Sequence, residues 1–155
     1  MEKGINMTLD EIMSHPVATV EMDDTLKDVK ALLDSAPFHH VLVVEGGVLW
    51  GVISDRDVYR ELSPTLGTPM ESTRDLALLN KRVHTFMTRK PVTLPKTATL
   101  FEAVTLFNHH DISCIPIVDA EKHVLGIVTT HDLLKLLEAR RYRLSESMAA
   151  TDKGN

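Results

Sequence analysis

Apolar positions in this chain fall into two kinds of run, and their order repeats once. Val41-Leu42-Val43-Val44 and Ile115-Pro116-Ile117-Val118 are unbroken apolar stretches of buried-strand length. Each follows a helix opened by a capping threonine. Thr25 precedes a stripe of Leu26, Val29, Leu32 and Leu33 that runs to about Ser35, and Thr99 precedes Leu100 and a helix to about His109. Each buried run is followed by a turn and a returning strand. Glu45-Gly46-Gly47 leads into Val48 to Ile53, and Asp119 to His123 leads into a return ending at Val128. A helix from Asp55 to about Leu62 closes the first unit. Short strands, Val17 to Met22 and Val92-Thr93-Leu94, open the two units, behind head segments that end at Pro16 and Pro91. The pattern predicts a mixed α/β fold, β-α-β-β-α twice over.

The second unit lies 74–75 residues after the first, with small insertions confined to turns. Neither unit buries its apolar face alone, so the two are expected to pack together with pseudo-twofold symmetry. The expected division is repeat 1 over 8–62, a linker over 63–82, repeat 2 over 83–140 and a frayed tail over 141–155. Pro64, Gly67 and Pro69 mark the linker, where Leu76, Leu79 and Val83 predict a short amphipathic helix.

One stretch is copied most closely. Gly51-Val52-Ile53-Ser54-Asp55-Arg56-Asp57-Val58 returns as Gly126-Ile127-Val128-Thr129-Thr130-His131-Asp132-Leu133. The β-branched pair suits a buried strand, and the hydroxyl residue can cap the next helix. A hydroxyl residue with an acid three positions on is also the capping-box spacing, present at Thr8/Glu11, Thr25/Asp28 and Thr99/Glu102. Repetition of the whole surrounding pattern, rather than that spacing, is what points to a ligand. A strand running straight into a helix start is expected to leave amides and a positive dipole end facing outwards, where anions collect. Arg56 and His131 stand in that first turn, where acids are ordinarily preferred.

Composition narrows the class. With 43% apolar and 25% charged residues in 155, the chain fits a soluble globular protein of one domain or two small repeats. No apolar run nears the roughly 18 residues that cross a bilayer, and MEKGINMTLDEIM lacks a signal peptide's apolar core. A single cysteine, Cys114, excludes an internal disulfide framework, and the cytoplasm is the expected compartment. Residues 1–62 carry five basic and twelve acidic groups, a net −7, and the remainder carries +2. The basic pairs Lys81-Arg82, Arg89-Lys90 and Arg140-Arg141 are scattered, so no nucleic-acid partner is expected. His39/His40 and His109/His110 are adjacent pairs whose side chains point apart, and no metal is expected. Cys114 and Trp50 read as packing residues. No nucleophile, base and orienting residue recur together, so an enzyme is not expected.

A tandem of such units, with Met-x-x-(x)-Pro-Val at each head and Gly-h-h-Ser/Thr-x-x-Asp-h (h, apolar) near each end, resembles a pair of cystathionine β-synthase (CBS) domains, a Bateman module. The resemblance covers about residues 10–140, and the chain is similar to stand-alone bacterial-type CBS-pair proteins. It implies a regulatory module that requires no cofactor and binds AMP, ADP or ATP in clefts between the repeats, passing a change of shape to an unknown protein target. In the family the motif acid and hydroxyl hold the ribose, which would fall to Ser54 with Asp57 and to Thr129 with Asp132. A carboxylate offers acceptors to both hydroxyls of a diol. Val17-Ala18 and Val92-Thr93 would wall the adenine. Phosphate would turn to Arg56, His131 or His39-His40, the latter at positions where the regulatory subunit of AMP-activated protein kinase resembles this repeat. Ser113-Cys114 stands there in repeat 2 without charge, so the two clefts are expected to differ. Alternatives are a ligand-free interaction scaffold and an S-adenosylmethionine or dinucleotide sensor. A disc-like homodimer is also implied, through Val58, Leu62, the Leu26–Leu33 stripe and the helix carrying Leu133, Leu134, Leu136 and Leu137.

Overall fold

The computed structural model describes residues 7–140. Repeat 1 is built from β1 (Thr19–Glu21), α1 (Leu26–Ser35), β2 (His40–Glu45), β3 (Val48–Ser54) and α2 (Asp55–Glu61). The linker carries α3 (Thr73–Leu78), and β4 (Thr88–Arg89) opens the second half. Repeat 2 continues with α4 (Leu100–His109), β5 (Cys114–Val118), β6 (Val124–Thr129) and a helix α5 over 130–140. Thr25, Ser54 and Thr99 each accept a hydrogen bond from the amide three residues on, and the acid there accepts one from the cap amide. These reciprocal bonds start α1, α2 and α4 where the sequence predicts.

One sheet has the order β1-β2-β3-β4, with β1 parallel to β2 and the other pairs antiparallel. The other contains β5 and β6, antiparallel. The strand expected over Val92-Thr93-Leu94 does not form, and a single parallel bridge from Leu94 to Ile117 stands in its place. Pro116 is the reason. In repeat 1 the Leu42 amide donates to the Ala18 carbonyl at 3.0 Å. The corresponding position in repeat 2 is Pro116, which has no N–H to give.

The segments that open the repeats cross over. The turn Leu9–Glu11 docks on repeat 2, where the Leu9 amide donates to the Ala98 carbonyl at 2.8 Å. The turn Val83–Thr85 docks on repeat 1, where the Val83 amide donates to the Asp24 carbonyl at 2.8 Å. Leu9 is fully buried among Ala103, Ile115, Ile117 and Val128, and Val83 among Leu26, Val29, Val41 and Ile53. Burying each such side chain is worth roughly 1.5–3 kcal/mol. The motif glycines make the crossing possible. A Cβ on Gly51 would lie 2.6 Å from the Met87 sulfur, and a Cβ on Gly126 would lie 2.6 Å from the Met13 sulfur. A third apolar cluster, Leu42, Leu49, Cys114, Val118 and Ile127, joins the two repeats.

Several packing expectations are corrected. Val58, Leu26 and Val29 are core residues of repeat 1, so they are not available to a partner. Leu133 packs on the repeat 2 core, whereas Leu134 and Leu137 are 62% and 64% exposed. Trp50 is exposed rather than packed, because it occupies the outward position of the alternating strand β3. The linker helix ends at Leu78, and Val83 belongs to the separate turn that enters repeat 1. The expected tail over 141–155 lies outside the described residues.

Candidate functional site

The strand-to-helix junctions β3–α2 and β6–α5 both open on a cleft of about 770 Å³ lined by both repeats. Ser54, Arg56, Asp57, His39 and His40 line it from repeat 1, and Thr129, His131 and Asp132 from repeat 2. Val17, Ala18 and Val92 add their walls, and Thr93 does not reach it. With no strand formed over 92–94, Thr93 lacks the alternation that would aim it inwards. A second, apolar hollow of about 260 Å³, lined by Val17, Val44 and Val124 among others, carries no charged side chain.

The two motif acids are held alike. Asp57 Oδ2 accepts from the Ser54 amide at 2.8 Å, and Asp132 Oδ2 accepts from the Thr129 amide at 2.8 Å. The Asp57 and Asp132 amides donate to the Ser54 and Thr129 hydroxyls, both at 3.2 Å. The capping role is therefore real. A carboxylate has about four lone-pair sites, so each acid retains acceptor capacity at the cleft. The acids differ in two contacts: the Ser54 hydroxyl also donates to Asp57 Oδ2 at 2.9 Å, and Asp57 Oδ1 lies 3.7 Å from Arg60.

The free amides expected at the start of α2 are taken. The Asp55 amide donates to the His39 carbonyl at 2.9 Å, the Arg56 amide to Asp55 Oδ1 at 2.8 Å, and the Asp57 amide to Ser54. Anion binding there has to rest on side chains. His39 Nδ1 is 3.0 Å from Asp55 Oδ2. Burial pushes the Asp55 carboxyl up, but the His39 hydrogen bond and the Arg56 amide outweigh it and hold the group below the usual carboxylate range. His40 Nε2 meets Ser113 Oγ at 2.8 Å across the repeat boundary. Burial pushes His40 below the usual imidazole range, with Asp55 opposing and His39 assisting, so it stays neutral near pH 7. Cys114, in the cleft wall, has its thiol pushed up to about 12 by burial. It is no nucleophile.

Sequence reasoning passed over Arg60, Lys135, Lys90, Asp55 and Asp111, all of which line the cleft. Arg60 and Lys135 were within reach, since each lies one helical turn past its motif acid and 75 residues from the other. Lys90 carries no such signal. It reaches the cleft because β4 crosses to pair with β3, and it holds a left-handed φ of 49° before Pro91. Away from the cleft, Asp119, Glu121 and His123 place ligand atoms within 4.8 Å of one another. The Asp119 carboxylate is occupied there by the Glu121 and His123 amides of its own turn, at 3.0 and 2.8 Å. Among the described residues no helix is long and apolar enough to cross a membrane.

The family model of the CBS domain matches residues 9–64 and 83–139. A CBS domain-containing protein of Dictyostelium discoideum is 32% identical over 129 residues, which cover 82% of this chain and 88% of the relative. Two further relatives, an L-aspartate semialdehyde sulfurtransferase of Methanosarcina acetivorans and a homoserine O-acetyltransferase of Methanocorpusculum labreanum, are much longer. The chain spans only 24% and 23% of their lengths. Among solved structures, the CBS domain pair of protein MJ0100 in complex with 5′-methylthioadenosine and S-adenosyl-L-methionine has a TM-score of 0.72 at 23% identity, covering 86% of this chain and 98% of that one. CBSX2 in complex with AMP has a TM-score of 0.70 at 21% identity, covering 86% and 98%. The crossed heads, the matched strand-to-helix junctions and the family match over both repeats agree, and the chain belongs to the CBS domain family, of which it carries two copies.

Proposed function

We propose that this CBS pair is a regulatory module that binds an adenosine nucleotide in its cleft and passes the binding to a partner as a change in repeat packing. The observation that carries this reading is the pair of carboxylates, Asp57 and Asp132, fixed in matching orientations at one cleft. Each suits the two hydroxyls of a ribose. Apolar walls at Val17, Ala18 and Val92 suit an adenine. Arg56, with His131 across the cleft, supplies charge for phosphate. The pairs solved with AMP and with methylthioadenosine and S-adenosylmethionine support the ligand class. The proposed action is binding, not catalysis. A ligand can bias the packing of the repeats by no more than its differential affinity for the two arrangements.

Calorimetry with AMP, ADP and ATP tests the reading. Losing hydrogen bonds to a charged acceptor costs about 1.5–3 kcal/mol, so Asp57→Ala or Asp132→Ala should weaken binding roughly ten- to a hundredfold at the site it serves. Unchanged affinities in both variants would remove the acids from the site. No binding of any adenosine compound would leave an interaction scaffold as the better reading. We further propose that a second copy covers the exposed apolar side chains Tyr59, Phe101, Leu134 and Leu137 of the helical faces.

A further inference from the structure

The two halves of the cleft share their hydroxyl-acid frame but not their charge. On the repeat 1 side, three permanent cations (Arg56, Arg60 and Lys90) face two carboxylates (Asp55 and Asp57). Lys90 belongs to this side because β4 pairs with β3 through Val52 and Gly51, ahead of Ser54. On the repeat 2 side, one permanent cation (Lys135) faces two carboxylates (Asp111 and Asp132). Asp111 belongs there because its segment is tied to the α5 start, where the Thr130 amide donates to the Ser113 carbonyl at 3.2 Å. Position by position, Arg56 is answered by His131, an imidazole that is charged only when protonated.

The pairings sharpen the contrast. Arg60 is drawn to Asp57 at 3.7 Å and His39 to Asp55 at 3.0 Å. Arg56 forms no ion pair among the described residues, and neither does Lys90, whose left-handed backbone holds it at the cleft. On this side two cations are thus at liberty for an incoming anion, against one, the equally unpaired Lys135, on the other. On the other side Asp111 and Asp132 have no cationic partner among the described residues. A phosphate monoester brings a charge of about −1.5 to −2. It gains by facing the first set and loses by facing the second.

We infer that the cleft is polarised: its repeat 1 half takes a nucleoside 5′-phosphate, and its repeat 2 half takes an adenosine compound whose 5′ substituent is uncharged or cationic. This rests on the adenosine reading above and assigns a ligand chemistry to each half. The two ligands then occupy one chain together, and the anion favours its own half most at low ionic strength.

Calorimetry on the full chain with AMP and 5′-methylthioadenosine as probes tests the inference. AMP should bind once per chain, and saturation with AMP should leave methylthioadenosine binding intact. Asp57→Ala and Arg56→Ala should each weaken AMP at least about tenfold without changing methylthioadenosine. Asp132→Ala should do the reverse. A gain-of-function arm guards against variants that lose their fold: His131→Arg with Asp111→Asn should create a second AMP site. Two equal AMP sites in the unaltered chain, competition between the two probes, or loss of AMP in Asp132→Ala with Asp57→Ala unaffected would overturn the polarity while leaving the adenosine reading standing. Binding of neither probe would overturn both.

Discussion

At the scale of single residues, the motif glycines are set by the crossing of the heads rather than by a turn. A Cβ on Gly51 would meet the Met87 sulfur at 2.6 Å and also the Thr88 carbonyl, a backbone atom of the paired strand, at 2.9 Å. A Cβ on Gly126 would meet only Met13 side-chain atoms, which can move. Gly51→Ala should therefore cost about 2–3 kcal/mol and Gly126→Ala about 1 kcal/mol, measured by urea unfolding. Equal costs would mean that β4 yields as easily as a methionine side chain. Two titratable groups of the cleft wall give opposite pH signatures. The Cys114 thiol, pushed up to about 12 by burial, should resist alkylation at pH 8.5 in the native protein and react on unfolding. His40 is pushed below its unfolded value near 6.5, so the neutral form is the one the fold favours. Its contribution is complete above pH 6.5 and is lost as pH falls through the folded value. His40→Asn should flatten that acid limb in thermal unfolding across pH 5–7. An unchanged slope would place the titration elsewhere.

At the scale of elements, the sequence was most legible where period and cap coincide. Helices α1, α2 and α4 start at the predicted hydroxyl residues because a reciprocal bond with an acid three positions on is a purely local signal. The strand over 92–94 was misread for a non-local reason, since its partner strand holds Pro116 where repeat 1 holds Leu42. Pro116→Val restores the missing donor. Amide exchange should then show protection at residue 116, next to the Leu94 amide that already donates to the residue 116 carbonyl at 3.3 Å. Stability should barely move, because a hydrogen bond of about 1 kcal/mol is offset by the unfolded-state entropy that proline had removed. An unprotected amide at 116 would show that the segment between Pro91 and Pro95 stays apart for reasons of its own. The cleft was legible to the same degree. Residues on the copied motif were found, whereas Lys90 was not, because only the exchanged head strand brings it there.

At the scale of the whole molecule, the crossing of the heads makes the repeats mutually dependent. Leu9 completes one core and Val83 the other, so a force that shifts one repeat is felt in both. This gives a ligand at the shared cleft something rigid to act on. The outer helical faces are less complete. Tyr59 is 73% exposed, Phe101 66%, Leu134 62% and Leu137 64%. Three of these lie on α2 and α5, the helices whose starts line the cleft, so a copy docked there would sense the ligand directly. A stable interface needs roughly 1,200–2,000 Å² in all. Light scattering at tens of micromolar should report a dimer. Leu134→Glu combined with Leu137→Glu should report a monomer with an unchanged far-UV spectrum, since neither side chain belongs to a core. A monomeric unaltered chain at that concentration would assign the exposed leucines to a different protein, and the regulated target would be the first candidate.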